Sequence, residues 1–174
     1  MRYTMIFMVL LSGLSASHSL LAKGVYQTNQ DFLSEVFNAE VPKVKSLWLT
    51  KKIKPQVKQI MGEKPSQLRV RYWGRDKKTA WILEEVGKEK LITIGLVVEN
   101  NRLSHFKVLA FRESRGWEIR QPFFTEQFID VGIDDNLQLS KNIDGISGAT
   151  LSVRAARKLA QLALLFHQKT QFAN

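Results

Sequence analysis

The hydrophobic pattern changes period along the chain, and each change marks an element. Thr28 can cap a helix in which Phe32, Leu33, Val36 and Phe37 recur at helical spacing. A second helical stretch is expected around Leu47, Trp48 and Leu49. Pro55 suits the first turn of a third, with Val57, Ile60 and Met61 inward and Gly62 ending it. From Leu68 the period becomes two: Leu68, Val70 and Tyr72 alternate with Arg69, Arg71 and Trp73, the pattern of a strand with one solvated face. Gly74-Arg75-Asp76-Lys77 reads as a turn and Ala80 to Leu83 as the returning strand. Leu91 to Val98 is a third strand, apolar enough for the sheet centre. Asn100-Asn101 offers the left-handed geometry of a hairpin turn, and Leu103 to Phe111 makes a fourth strand. After Thr150, Leu151, Ala155, Leu159, Leu162 and Phe166 share one face of a long helix with Ala156, Ala160 and Ala163 beside them. Arg154, Arg157, Lys158 and Gln161 take the other side. Strands joined by hairpins with helices at both ends predict an α+β fold: a single domain with an antiparallel sheet flanked by N-terminal helices and a long C-terminal helix.

The first residues follow a different logic. Met1-Arg2 is a positive start, Met5 to Leu11 is unbroken apolar sequence, and small residues then mix in up to Ala22, the order of a secretory signal peptide. The apolar run is about half the length of a membrane-spanning helix. Cleavage is expected after Ala22, with cleavage after Ser19 as the alternative. The chain then divides into a signal peptide over 1–22 and one domain over 23–174, in a periplasmic or other extracytoplasmic location.

The 174 residues are enough for a domain with a substantial core, and 44% hydrophobic with 24% charged residues is a globular composition. There are no cysteines. That excludes disulfides, iron–sulfur clusters, c-type haem attachment and thiol redox chemistry, so a redox role needs a bound cofactor. His18, His105 and His167 show no ligand spacing, and no metal is expected. The formal charge is +10, much of it between Lys43 and Lys78. Export argues against nucleic acid and leaves anionic lipid, an acidic redox partner or a solvated basic face.

One segment carries chemistry. Asp144-Gly145-Ile146-Ser147-Gly148-Ala149-Thr150 is a small-residue turn feeding a helix N-terminus. Unpaired backbone N–H groups and the positive end of the helix dipole favour an anion there, by about 0.3–1 kcal/mol when exposed and up to about 2 when partly buried. Gly148 and Ala149 let a phosphate approach the backbone, and Thr150 sets a hydroxyl at the same place. The same residues would also serve as an ordinary helix start.

Asp144 to Thr150 resembles the flavinylation motif of the FMN-binding domain family, which includes small subunits of the sodium-translocating NADH:quinone reductase and of Rnf-type electron-transport complexes. Glu113-Ser114-Arg115-Gly116 is similar to that family's Glu-Thr-Pro-Gly loop, and Phe124-Thr125-Glu126-Gln127-Phe128 to its Phe-x-x-Gln-Phe segment. The resemblance covers about Leu91 to Phe166, with residues 23–90 supplying helices and first strands. It implies FMN esterified through its phosphate to Thr150 by a separate flavin transferase. Arg115 departs from the family's proline, Trp117-Glu118 stands where a second glycine is common, and Val153 where serine is common. These departures touch the ring contacts more than the attachment.

A flavin ring needs an apolar wall and a few polar groups. Trp117, Phe123, Phe124, Phe128 and Leu151 are the candidates for the wall, with Trp117 and Leu151 preferred because each adjoins a matched motif. The phenylalanines also suit the core. Glu113, Ser114 and Gly116 would meet the ring or phosphate from the second loop, and Asp144 would order the turn through its side chain. No Gly-x-Gly-x-x-Gly nicotinamide fingerprint is present. The resemblance therefore implies an exported flavoprotein that moves electrons between membrane or periplasmic redox proteins, not a self-contained enzyme. The alternatives are a flavin-dependent reductase of a small substrate and a flavin-free binding module.

Overall fold

Two hairpins of the sheet close on two-residue turns that use left-handed backbone. Strand β2 (Arg69–Arg75) returns as β3 (Lys78–Val86) through Asp76 at φ 53° and Lys77. Strand β4 (Leu91–Glu99) returns as β5 (Arg102–Phe111) through Asn100 and Asn101, at φ 51° and 63°, the geometry expected of that pair. The first turn is two residues shorter than the sequence suggested, because Gly74 and Arg75 still pair with Thr79 and Lys78. These coordinates are a computed structural model describing residues 24–173; the expected signal peptide over 1–22 lies outside the described residues.

The sheet is a five-stranded antiparallel meander in the order β1-β2-β3-β4-β5. Its first strand corrects the sequence reading. Leu47 and Trp48, expected in a helix, form β1 (Lys45–Trp48), paired in register with Tyr72 to Arg69. Three consecutive apolar residues satisfy neither a helical nor an alternating period, and pairing with β2 decides the matter. Leu47 faces inward opposite Val70, Trp48 points outward, and Leu49 closes the core just beyond the strand.

The two faces of the sheet carry separate cores. Helix α1 (Asn29–Val36), capped by the Thr28 hydroxyl accepting from the Asp31 N–H, lays Phe32, Leu33, Val36 and Phe37 on Ala80, Val97 and Leu109. Helix α2 (Lys54–Met61) has Pro55 in its first turn and ends at Gly62 in the left-handed region, as its sequence signals indicate. Between β5 and the C-terminal helix lie a 3-10 turn (Trp117–Arg120), the one-turn helix α3 (Pro122–Thr125) and a second 3-10 turn (Glu126–Phe128).

Helix α4 (Thr150–Gln168) covers the opposite face from α1 and spans about 28 Å. Its residues Leu159, Ala160, Ala163 and Phe166 are fully buried in a core with Trp81, Ile92, Ile94 and Leu96. Phe166 packs on Trp81, which stacks on Tyr72 at 4.8 Å between ring centroids. The chain is thus an α+β domain with a central sheet between α1 and α4, and β4 buried on both sides. Burying both sides removes the clean alternation from β4, whose residues Ile92 to Val98 are all buried.

Candidate functional site

The packing of α4 on the sheet fixes where its first turn lies. At the other end of the helix, buried His167 shares a hydrogen bond of 2.8 Å between Nδ1 and the Thr79 hydroxyl, which also accepts from the Trp81 indole N–H. With that end and the helix face anchored, the N-terminal turn stands at the edge of the sheet beside the segment that follows β5.

That turn is built open. Ile146 to Ala149 closes through the Ala149 N–H donating to the Ile146 carbonyl, with Gly148 at φ 80°. A Cβ at Gly148 would meet nothing within 4 Å, so the requirement for glycine there is conformational and the space in front of it is free. Ala149 occupies the cap position and offers no side-chain oxygen, and the first turn contains no acid. The first intrahelical bond is Val153 N–H to the Ala149 carbonyl at 3.0 Å. The N–H groups of Thr150, Leu151 and Ser152 precede it, which leaves a 19-residue helix with an uncapped positive end. Thr150 is the first helical residue and is exposed.

The second motif reaches the same place from β5. Glu113, Ser114 and Arg115 face Gly148, Ala149, Thr150, Leu151 and Ser152 across a cleft of about 590 Å³, with Lys88 at its rim. Gly116 is the contact point between loop and helix. It sits at φ 86°, and a Cβ there would come within 3.1 Å of the Ala149 Cβ and 3.2 Å of the Ser152 Oγ. A side chain there would strain the backbone and crowd both neighbours.

Glu113 does something other than reach into the cleft. Its Oε1 accepts from the backbone N–H groups of Lys88, Glu89 and Lys90, at 2.5, 2.8 and 2.9 Å. Desolvation pushes the carboxyl upward, but the three donors together outweigh it and hold Glu113 below the usual carboxylate range. The carboxylate thereby orders the β3–β4 turn and sets Lys88 at the cleft rim. Sequence reasoning missed Lys88, because nothing in the turn itself signals that a residue just beyond β5 gathers its backbone.

Asp144 also plays a different part from the one expected. Its side chain makes no hydrogen bond among the described residues. Instead its backbone N–H donates to the Gln127 Oε1 at 2.7 Å, so the second segment matched to the family pins the start of the Thr150 loop. Phe124 and Phe128 from that segment are fully buried, packed with Phe106, and belong to the core. Of the five wall candidates, Trp117, Phe123 and Leu151 are exposed, at 47%, 61% and 42%. Leu151 lines the cleft. Trp117 adjoins Gly116 but stands outside the lining, with the Arg120 guanidinium 5.3 Å from its ring centre. Ser147 is exposed in the turn beside the cleft.

On its other side, Thr150 borders a second cleft of about 510 Å³, where Arg154, Arg157 and Lys158 of α4 meet Gln59 and Ile60 of α2. Gln161 holds that cleft's far wall by donating to the Leu137 carbonyl at 2.6 Å. Periodicity had assigned these cations only to a solvated helix face. Among the described residues no group of three or more His, Asp or Glu converges as a metal site would.

These features fit FMN. The 590 Å³ cleft lies within the range of about 300–1,000 Å³ of small-molecule sites, and an uncapped helix end suits a phosphate. Lys88 and Arg115 add positive charge, Leu151 supplies an apolar surface, and the Thr150 hydroxyl stands where the phosphate would sit. No curated protein matches the chain. The family model of the FMN-binding domain does match, over residues 87–165, a span that begins at the turn gathered by Glu113 and ends in the last turns of α4. Residues 87–165 are an FMN-binding domain of that family, and the protein is a flavin-binding protein.

Proposed function

We propose that this protein is an exported electron carrier whose FMN is joined through its phosphate to the Thr150 oxygen. The observation that carries the reading is the exposed Thr150 hydroxyl at the uncapped start of α4, open to the cleft that the Glu113–Gly116 loop completes. Forming the ester takes the proton from the hydroxyl, joins its oxygen to phosphorus and breaks the P–O bond to the group that phosphorus carried; counted from free FMN, that group leaves with the proton as water. The net change is the mass of one FMN less one water. The resulting phosphodiester keeps one negative charge, which the free N–H groups of the first turn and the neighbouring Lys88 and Arg115 offset. A separate flavin transferase supplies the catalysis, as the family resemblance implies.

When bound, FMN provides one- and two-electron chemistry that a chain without cysteines lacks. The residues of this chain bind and orient. Leu151 forms an apolar contact surface, and Ser114 offers a hydroxyl. Gly116 fixes the loop against the helix, and Glu113 holds the rim turn in place. Redox proteins of the membrane or periplasm are the partners, and the signal-like residues 1–22 support delivery there. The test is steady-state assay of the purified flavinylated protein. A carrier passes electrons to a redox protein and leaves small acceptors unreduced at catalytic rates. Rapid turnover of a small acceptor by the protein alone would assign it as a reductase.

A further inference from the structure

We propose that the tip of the β1–β2 edge is a membrane-docking surface for an anionic lipid bilayer, with Trp48 and Leu68 entering the headgroup layer. Residues 43–71 hold seven lysines and two arginines against a single acid, Glu63, so this one segment accounts for +8 of the chain's +10. None of those nine cations takes part in an ion pair among the described residues; every such pair engages another part of the chain. The charge is therefore not consumed within the fold.

Topology brings the pieces together. Strand β1 is the edge of the sheet, and α1 packs over β3 and β4 and reaches β2 only at Trp73 and Arg75, which leaves the outer face of the β1–β2 ribbon exposed at Trp48, Arg69 and Arg71. Trp48 ends β1 opposite Arg69, which begins β2, and the Leu49 N–H donates to the Leu68 carbonyl at 2.9 Å. The connections into and out of α2 thus meet at one tip. Exposed Lys51 and Lys52 follow Trp48, 58% exposed, into one connection, and exposed Lys64 precedes Leu68, 66% exposed, in the other. The Arg69 guanidinium lies 5.7 Å from the Trp48 ring centre.

Composition selects a lipid surface over an acidic protein. Lysine is depleted and arginine enriched at protein–protein interfaces, whereas here seven of the nine cations are lysine. Polybasic clusters gain about five-fold in partition for each cation that reaches an anionic leaflet, and tryptophan favours the boundary between water and hydrocarbon. No described helix is long and apolar enough to cross a membrane, so contact at this tip would be peripheral. Docking also places the flavin site. Helix α2, about 12 Å long, runs from the tip to Gln59 and Ile60, which line the cleft shared with Thr150. This last consequence rests on the proposed function; the docking itself does not.

The experiment is co-sedimentation of the protein purified from cells that process it, with vesicles of phosphatidylcholine alone or mixed with phosphatidylglycerol. Binding is expected only with phosphatidylglycerol present, weakening steeply with salt. Lys51→Glu/Lys52→Glu should bind at least about 20-fold more weakly and Trp48→Ala several-fold more weakly. Both variants change exposed side chains, and circular dichroism checks that they fold. A blue shift of tryptophan emission on binding should disappear in Trp48→Phe. Equal binding to neutral vesicles, or no loss in the double variant, overturns the proposal. So does binding to soluble polyglutamate as tight as to vesicles, which would make the surface a dock for acidic protein.

Discussion

His167 makes the anchoring of α4 depend on pH, and the size of the effect follows from its surroundings. The ring is fully buried, its Nδ1 shares a hydrogen bond with the Thr79 hydroxyl, and its Nε2 has no partner among the described residues. Desolvation pushes its pKa down to about 4. The unfolded chain has an ordinary histidine, with a pKa of about 6.5. Between those values the unfolded state binds a proton that the folded state refuses, so stability falls as the pH drops through 6.5 and stops falling below about 4. At pH 4.5 the loss from this residue is about 2.5 kcal/mol relative to neutral pH. His167→Gln cannot titrate and retains a group that can bond Thr79. Urea unfolding of both proteins at pH 7 and 4.5 isolates the effect, because other titrating groups act on both alike. The stability gap between wild type and variant should shift by about 2.5 kcal/mol in favour of the variant at the lower pH. A gap that stays constant across the two pH values would show that His167 is not held neutral by burial.

Two further predictions concern the cleft. Gly116→Ala forces left-handed backbone on a side chain and crowds Ala149, so it should destabilise by about 2 kcal/mol and lower flavin retention; unfolding curves and flavin content check both. Glu113→Gln removes the charge that gathers the N–H groups of Lys88, Glu89 and Lys90, so those amides should exchange faster in the variant. Because the carboxyl is held low, wild-type protection should persist above the usual carboxylate range and approach the variant's as the pH falls through the lowered value; protection that ignores pH would rule this out.

The parts of this fold that were legible in the sequence are those where local chemistry and tertiary packing agree. Thr28, Gly62 and Asn100-Asn101 each demand a particular backbone, and the helix ends and the hairpin appear where those residues stand. Strand β1 was not legible, because a four-residue edge strand shows too few alternations to reveal its period and exists through pairing with β2. The site divides in the same way. The Thr150 turn announces itself by a contiguous run of small residues before a strong helix. The work of Glu113 and Gln127 is non-local: each holds the backbone of a distant segment, Lys88 to Lys90 and Asp144, and no periodicity encodes such a bond. Phe124 and Phe128 could not be sorted from Phe123 by type, since only the packing against Phe106 separates core from surface.

The central claim is that Thr150 carries the flavin, and intact mass after denaturation tests it most directly. Wild-type protein made with a flavin transferase should retain yellow colour on unfolding and gain the mass of one FMN less one water. Thr150→Val removes the hydroxyl but roughly keeps the side chain's shape at an exposed helix start, so the domain should fold and any bound flavin should leave on unfolding. Ser147→Ala, in the turn outside the cleft, should keep some attachment. Thr150→Val protein that still shows the added mass would place the linkage elsewhere, and wild type that never gains it would contradict covalent attachment altogether.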